Sequence, residues 1–480
     1  MKHLFTKTAL VISALALLCC CAQYEAPQIS ELPDLPVRDN EPAPDSVFAN
    51  RFELTRIAER TLGISANSRG SELQISEIAD SAGNPALYIM QSGIDNGFVI
   101  ASARKSYWPV LAYCEEGSFD QESEIPAPIK EWLDNMTLEV SQSASTALDQ
   151  ANIAEWSLYE RHFSANHNEL HQSRTYENPG EGYEDEFYSL SHMINDSIMS
   201  WQSQGYNAGY LYDFRGISED LREQWIREVQ GGIYPLYMDD WMYLSAVRVG
   251  GSSYANHTGF ELNYKWNQSY PFNQSFPIIT DNRRALVGCA NIAMGIVMRY
   301  HQWPNTFNWN DMPYNSATET TSKFLYDIAI SNQSSFGVTA TSTVFPKIHD
   351  SLNHKYGYNA ETYDKFDYRV LELNLQAFKP VICTYKYTNS EGDPDGHAWV
   401  VSGTSMALSS TNVELWYFSG KKCLDRQQAT GSSNYGPRMY YVNWGWGGAY
   451  NGYFRDLQKA YPLNSSAETG PMEIEIYPNK

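Results

Sequence analysis

The stretch from Ala285 to His301 constrains this chain more than any other, because it sets a cysteine just inside the start of an apolar-striped helix. Counting from Cys289, apolar residues recur at Ile292, Ala293, Ile296, Val297 and Tyr300, the one-face spacing of an amphipathic helix. Trp303-Pro304 ends the pattern, since the residue before a proline is pushed out of helical backbone. Cys289 is therefore expected in the first turn, on the inward face. Helix starts offer N–H groups without intrahelical partners and the positive end of the helix dipole. Such surroundings favour thiolate, the nucleophilic form of cysteine. A small buried cysteine serving only as core filler fits the same position. The choice between the two needs a partner from elsewhere in the chain.

The N-terminus predicts export. Lys2 and Lys7 flank the start of an apolar run, Ala9 to Leu18, that closes on Cys19-Cys20-Cys21-Ala22. The run is too short to span a bilayer and reads as a signal peptide over residues 1–21. Leu18, three residues before Cys21, resembles the lipobox of bacterial lipoproteins. That resemblance implies lipidation at Cys21 and attachment to a membrane through the lipid, with Leu17 and Cys20 as a second register. The expected location is the bacterial cell envelope or outer surface. The net charge of -22 argues against a nucleic-acid partner, which would need a basic face. The remaining cysteines, Cys114, Cys289, Cys383 and Cys423, are scattered and form neither a disulfide framework nor a zinc-ligand cluster. Neither metal nor cofactor is expected.

Residues 22–45 are rich in Pro, Asp and Glu and read as a flexible tether. Residues 46–145 read as a small α+β domain. Asp45-Ser46 offers an N-cap for a helix through Phe52, Ile57 and Ala58 that Gly63 ends. Residues 86–90 and 98–102 are strand-like around Asp95-Asn96-Gly97, which is turn chemistry. A strand at 110–113 and a helix containing Ile129, Trp132 and Leu133 follow. Residues 146–248 are polar and weakly periodic and read as a partly helical connector, with helices through Tyr183–Ile194 and Leu221–Val229. Residues 249–480 place helices first (289–300, 324–330, 345–352) and strands later (381–385, 397–401, 415–418, 439–442). That order predicts an α+β domain with a helical layer against an antiparallel sheet, and a site between the layers draws one residue from each.

Three pieces supply candidates for that site. His397 opens a strand, with Trp399 and Val401 on its own face. The run Val442-Asn443-Trp444-Gly445-Trp446-Gly447-Gly448 suits a tight turn presenting aromatic walls. In it, Asn443 offers an acceptor that could orient an imidazolium. Gln268, in Trp266-Asn267-Gln268, could donate a side-chain N–H to an oxyanion. Each alone has an ordinary structural explanation.

Together, Trp-Asn-Gln-x-x-Pro-Phe-Asn, Gly-Cys-Ala-x-x-Ala, Gly-His-Ala-Trp-Val-Val and Val-Asn-Trp-Gly-Trp-Gly-Gly resemble the streptopain family of bacterial cysteine peptidases (family C10) over residues 260–455. The segments around Gly97-Phe98-Val99-Ile100-Ala101-Ser102 and Pro109-Val110-Leu111-Ala112-Tyr113 resemble the propeptide or inhibitor domain that precedes such enzymes. The resemblance implies a papain-like catalytic domain behind a small α+β prodomain. It implies Cys289 as nucleophile, His397 as general base and acid, and Gln268 as oxyanion donor. Asn443 and Trp444 would orient and shield His397, and Trp444 and Trp446 would line the substrate site. Protein or peptide substrates are implied, with the chain's own N-terminal domain as an intramolecular inhibitor. The sequence departs from the family in having Ser402-Gly403 where Asp-Gly is usual after the histidine strand, and in a shortened Cys-to-His interval. Two competing readings use the same scaffold: a surface binding or inhibitor lipoprotein with a dead site, and a cell-wall amidase.

Overall fold

The structure is a computed structural model that describes residues 47–63, 73–93, 96–119, 125–143, 155–156, 159, 198–201, 207–210, 242–256, 260–388, 394–419, 422–461 and 472–479. The signal peptide, the tether and both helices expected within 183–229 lie outside the described residues.

Helix α1 (Arg51–Leu62) begins four residues later than Ser46 suggested. Asn50 is the N-cap: its side chain accepts from the Glu53 N–H, and the Glu53 carboxylate accepts from the Asn50 N–H. That reciprocal capping box outcompetes the earlier serine. Gly63 ends the helix in left-handed backbone, as expected. Strands β1 (Gln74–Ala79), β2 (Pro85–Gln91), β3 (Phe98–Ser102) and β4 (Val110–Cys114) form an antiparallel meander. β1 escaped the sequence reading, because its residues are half-exposed and mixed in polarity. Helix α2 (Ala127–Gln142) buries Ile129, Trp132, Leu133 and Met136 beneath them.

In the connector, the described residues include two strands, β5 (Asn207–Tyr210) and β6 (Met242–Asn256). β6 crosses the boundary expected at 248/249 and pairs along the distal half of a later strand. Beyond a two-stranded hairpin, β7 (Ile278–Thr280) with β8 (Arg283–Arg284), come helices α3 (Cys289–His301), α4 (Glu319–Ser331) and α5 (Pro346–Asp350). Strand β9 (Tyr358–Tyr363), helix α6 (Tyr368–Gln376) and strands β10 (Val381–Thr388), β11 (Pro394–Ser419), β12 (Lys422–Asn443), β13 (Gly452–Arg455) and β14 (Met472–Pro478) complete the fold. The two strands expected at 397–401 and 415–418 are one, β11, carried through Gly403 by irregular register with β12.

The main sheet runs β1-β2-β3-β4-β13-β12-β11-β10-β14-β9, antiparallel throughout, with β6 and β5 attached to β11. β11 shows how the sheet divides two cores. Ala398 and Val400 join the helical-layer cluster with Cys289, Ile292 and Ile296, while Trp399 and Val401 face the opposite cluster with Trp132 and Phe119. Side chains two apart share a face, so one strand serves both cores.

The two halves of the chain share this sheet, with Tyr113 opposite Tyr453 and Ala112 opposite Phe454 across β4 and β13. Arg455 anchors the seam. Its guanidinium donates to the Val110 carbonyl at 2.8 Å, lies over the Trp108 ring and pairs with Glu155 at 3.5 Å, both side chains 0% exposed. Trp132 Nε1 donates to the Arg455 carbonyl at 2.9 Å, and Asn135 Nδ2 donates to the Lys459 carbonyl at 2.8 Å. A buried charge stripped of its partner is costly. Glu155→Gln is therefore expected to destabilise the full chain by about 3–5 kcal/mol, read as a lower urea midpoint. A midpoint equal to the parent's would show that the seam does not depend on this pair.

Candidate active site

Cys289 is the first residue of α3 and is 1% exposed, packed into the helical-layer core as its apolar stripe requires. No side chain caps the helix. The N-cap is Gly288, at φ +89°, and a Cβ there would stand 2.8 Å from the Thr341 carbonyl oxygen. Only glycine fits the turn that delivers the cysteine.

Gln268 is brought to the same helix start by backbone pairing, the Val287 N–H donating to its carbonyl at 2.9 Å. The residue is 3% exposed, and neither amide atom has a hydrogen-bond partner among the described residues. A buried amide without partners is expensive, and here it lies next to the segment that leads into Cys289.

His397 is 2% exposed and is the fourth residue of β11, which begins at Pro394 rather than at the histidine because Pro394–Gly396 already pair with β10. Its Nε2 lies 2.9 Å from the Trp444 carbonyl oxygen, which can only accept. The ring is thus the Nε2–H tautomer when neutral, and Nδ1 carries the lone pair. Trp446 stacks on the imidazole at 6.0 Å between centroids, and Trp399 covers it at 6.2 Å. The turn bearing Trp446 reaches the cysteine helix: a Cβ at Gly445 would meet Ile292 Cγ2 at 3.1 Å, one turn beyond Cys289.

Two expected roles change. Asn443 makes no hydrogen bond to His397; its Nδ2 donates to the Leu262 carbonyl at 2.7 Å and the Tyr264 carbonyl at 2.8 Å, and its Oδ1 accepts from the Gly445 N–H. The Trp444 indole is 0% exposed, wedged edge-on against Phe454 and beside Trp399, so it fills core and lines no groove. Its carbonyl, which a sequence motif does not display, is what meets His397. Ser402, the departure from the family's usual Asp, accepts from the Leu262 N–H at 3.1 Å and so holds the same segment that Asn443 holds. The other described thiols are poor nucleophiles. Burial pushes Cys114 up to about 12 and Cys383 higher still.

The first half of the chain abuts this site. The Tyr450 N–H donates to the Ser118 carbonyl at 3.1 Å, and Phe119 packs edge-on against Tyr450 at 5.0 Å. Cys289, His397 and Gln268 are all buried. Among the described residues, no group of His, Cys, Asp and Glu could hold a metal ion, and no helix is long and apolar enough to cross a membrane.

A helical layer bearing a cysteine at a helix start, packed against an antiparallel sheet bearing a histidine, defines a papain-like cysteine-peptidase fold with a prodomain joined to its sheet. Residues 266–454 match the Peptidase C10 family, and residues 49–140 match the Spi protease inhibitor family. Streptopain of Streptococcus pyogenes is 22% identical over 244 residues, covering 40% of this chain and 52% of streptopain. Thiol protease/hemagglutinin PrtT of Porphyromonas gingivalis is 23% identical over 232 residues, covering 39% of this chain and 22% of that protein. The chain thus spans about half the length of streptopain and less of PrtT. Among solved structures, a Prevotella intermedia prointerpain A fragment aligns over 85% of this chain and 99% of its own, at 13% identity and a TM-score of 0.43.

The glycine at the helix start, at φ +89° and ψ 135°, can be tested against a glycine at a helix end in the left-handed well. Gly63 sits at φ +65° with nothing within 4 Å of where a Cβ would stand, whereas Gly288 has a carbonyl in the way. Gly63→Ala should cost about 1–2 kcal/mol from left-handed backbone alone, and Gly288→Ala distinctly more. Urea unfolding of both variants checks this; equal losses would show that the Thr341 contact yields.

Proposed function

We propose that this chain is an exported cysteine endopeptidase made as a zymogen. The observation that carries the reading is the unpartnered, buried Gln268 amide beside the start of the Cys289 helix. It has the character of an oxyanion donor awaiting its acceptor. The Cys289 thiol gives its proton to His397 Nδ1, and the thiolate attacks the peptide carbonyl carbon. The oxyanion takes hydrogen bonds from Gln268 Nε2–H and the Cys289 backbone N–H. The C–N bond then breaks, the leaving amine takes the proton from the imidazolium, and an acyl-enzyme remains. Water, deprotonated by Nδ1, attacks the acyl carbon, and the thiolate leaves. Trp446 shields the imidazole from solvent, which strengthens its electrostatic pairing with the thiolate.

Protein or peptide chains are the substrates. The N-terminal domain acts as an intramolecular inhibitor, by adding its sheet to β13 and seating the Gly117–Phe119 loop on the turn that carries Trp446. The signal sequence and Cys21 send the precursor to the bacterial envelope as a lipoprotein, and cleavage of the prodomain releases activity there.

Cys289→Ala in the full-length chain should abolish casein hydrolysis and self-cleavage while leaving the fold intact. Gln268→Ala should fold as the parent does, because its amide bonds to nothing in the closed form, yet lower kcat by about 10²–10³. Full activity in either variant under reducing conditions refutes the assignment. Digestion of peptidoglycan with no action on casein would favour an amidase.

A further inference from the structure

We infer that Asn443 is a positioning residue that sets the His397 tautomer through the Trp444 carbonyl and, by the same amide, fixes the strap Leu262–Gln268 that carries the oxyanion donor. Its relevance to catalysis rests on the peptidase reading; the clamp itself does not.

The Asn443 side chain has three hydrogen bonds and spends none on the imidazole. Nδ2 takes the Leu262 and Tyr264 carbonyls, and Oδ1 takes the Gly445 N–H. Those bonds bracket Trp444 from both sides in sequence. The neighbouring peptide, between Asn443 and Trp444, is held from the other direction, the Trp444 N–H donating to Asn451 Oδ1 at 3.1 Å, while Asn451 Nδ2 reaches Asn263 Oδ1 at 3.3 Å. The carbonyl that meets His397 Nε2 thus shares its peptide plane with the Gly445 N–H that Asn443 holds, Asn451 holds the peptide before it, and both asparagines are bonded to the strap. Further along, the Gly447 N–H donates to the Trp266 carbonyl at 2.9 Å, and Asn267 Oδ1 accepts from the Gln268 N–H at 2.6 Å. The strap then ends on Val287, two residues before the cysteine. One set of amide contacts therefore ties the partner of the general base to the oxyanion donor, and a displacement of either is felt by both.

An asparagine two peptide bonds from its effect differs testably from one that touches the ring. In a direct triad, Asn451 would have no bearing on the imidazole. In the clamp, Asn443 holds the peptide that bears the carbonyl and Asn451 the peptide before it, so both bear on the imidazole.

The test uses the full-length chain carrying Cys289→Ala, so that no self-cleavage occurs, labelled with ¹⁵N-histidine. His397→Gln assigns the resonances. The parent should show His397 protonated at Nε2 with an unprotonated Nδ1. Asn443→Ala should let the Trp444 carbonyl drift and lower the Nε2–H to Nδ1–H ratio by about fivefold to tenfold, the worth of one neutral hydrogen bond. Asn451→Ala, which keeps every Asn443 bond, should shift it in the same direction by less, and it carries the test if Asn443→Ala does not fold. A folded Asn443→Ala with the parent's tautomer and only a lower melting temperature overturns the inference. So does an Asn451→Ala chain whose imidazole signal is unchanged. Peptidase activity is assayed separately on the Cys289 chain: a chain with the tautomer response but no activity sinks the peptidase reading and leaves the clamp standing.

Discussion

The molecule depends on a short extended strap, Leu262–Gln268, that is bonded along its length to both layers. On the sheet side, Ser402 and Asn443 take the two backbone groups of Leu262, Asn443 takes the Tyr264 carbonyl, and Gly447 takes that of Trp266. On the helical side, Lys265 and Trp266 bond to the Pro313–Tyr314 backbone, and Gln268 bonds to Val287. A site assembled from two layers needs its parts held to within fractions of an ångström, and packing alone gives no such register. Buried hydrogen bonds do, because each is directional and costly to leave unmade.

The N-terminal domain is held by a different principle. It lengthens the sheet: β4 supplies the partner strand that β13 lacks, and Arg455, Trp132 and Tyr113 knit the seam with buried polar contacts and stacked rings. Strand addition satisfies backbone groups that a bare edge would leave open. The seam is therefore extensive yet built from separable pieces. β6 presents the opposite case, since it lies in the connector by sequence and in the catalytic sheet by pairing.

What could be read in advance followed the strength of local signals. The α3 helix, the Gly63 stop and the β2–β3 hairpin rest on short-range patterns, and they stand where those patterns put them, though α3 is buried on all sides from Cys289 to Met298 rather than along one stripe. Local rules failed where neighbours were distant. β14 is shaped by partners far along the chain, lying between β9 and β10, while β1 is an edge strand paired only with its neighbour β2; neither has a clean alternation. The Asn50 cap won over Ser46 through a reciprocal bond with Glu53, and no residue taken singly reveals such a bond. The site was legible as a set of residue types in order. It was not legible as roles: Trp444 contributes its carbonyl rather than its ring, and Asn443 binds the strap rather than the imidazole.

Local spacing was enough to set a cysteine in the first turn of a buried helix and a histidine on a strand, because helix and strand periodicities are properties of neighbouring residues. Three things waited on the folded chain: which backbone carbonyl fixes the imidazole, which side chain is left unsatisfied at the helix start, and that a strand from the other domain closes the sheet. Those are meetings between segments far apart along the chain, and hydrogen-bond geometry across such distances is written in no local pattern.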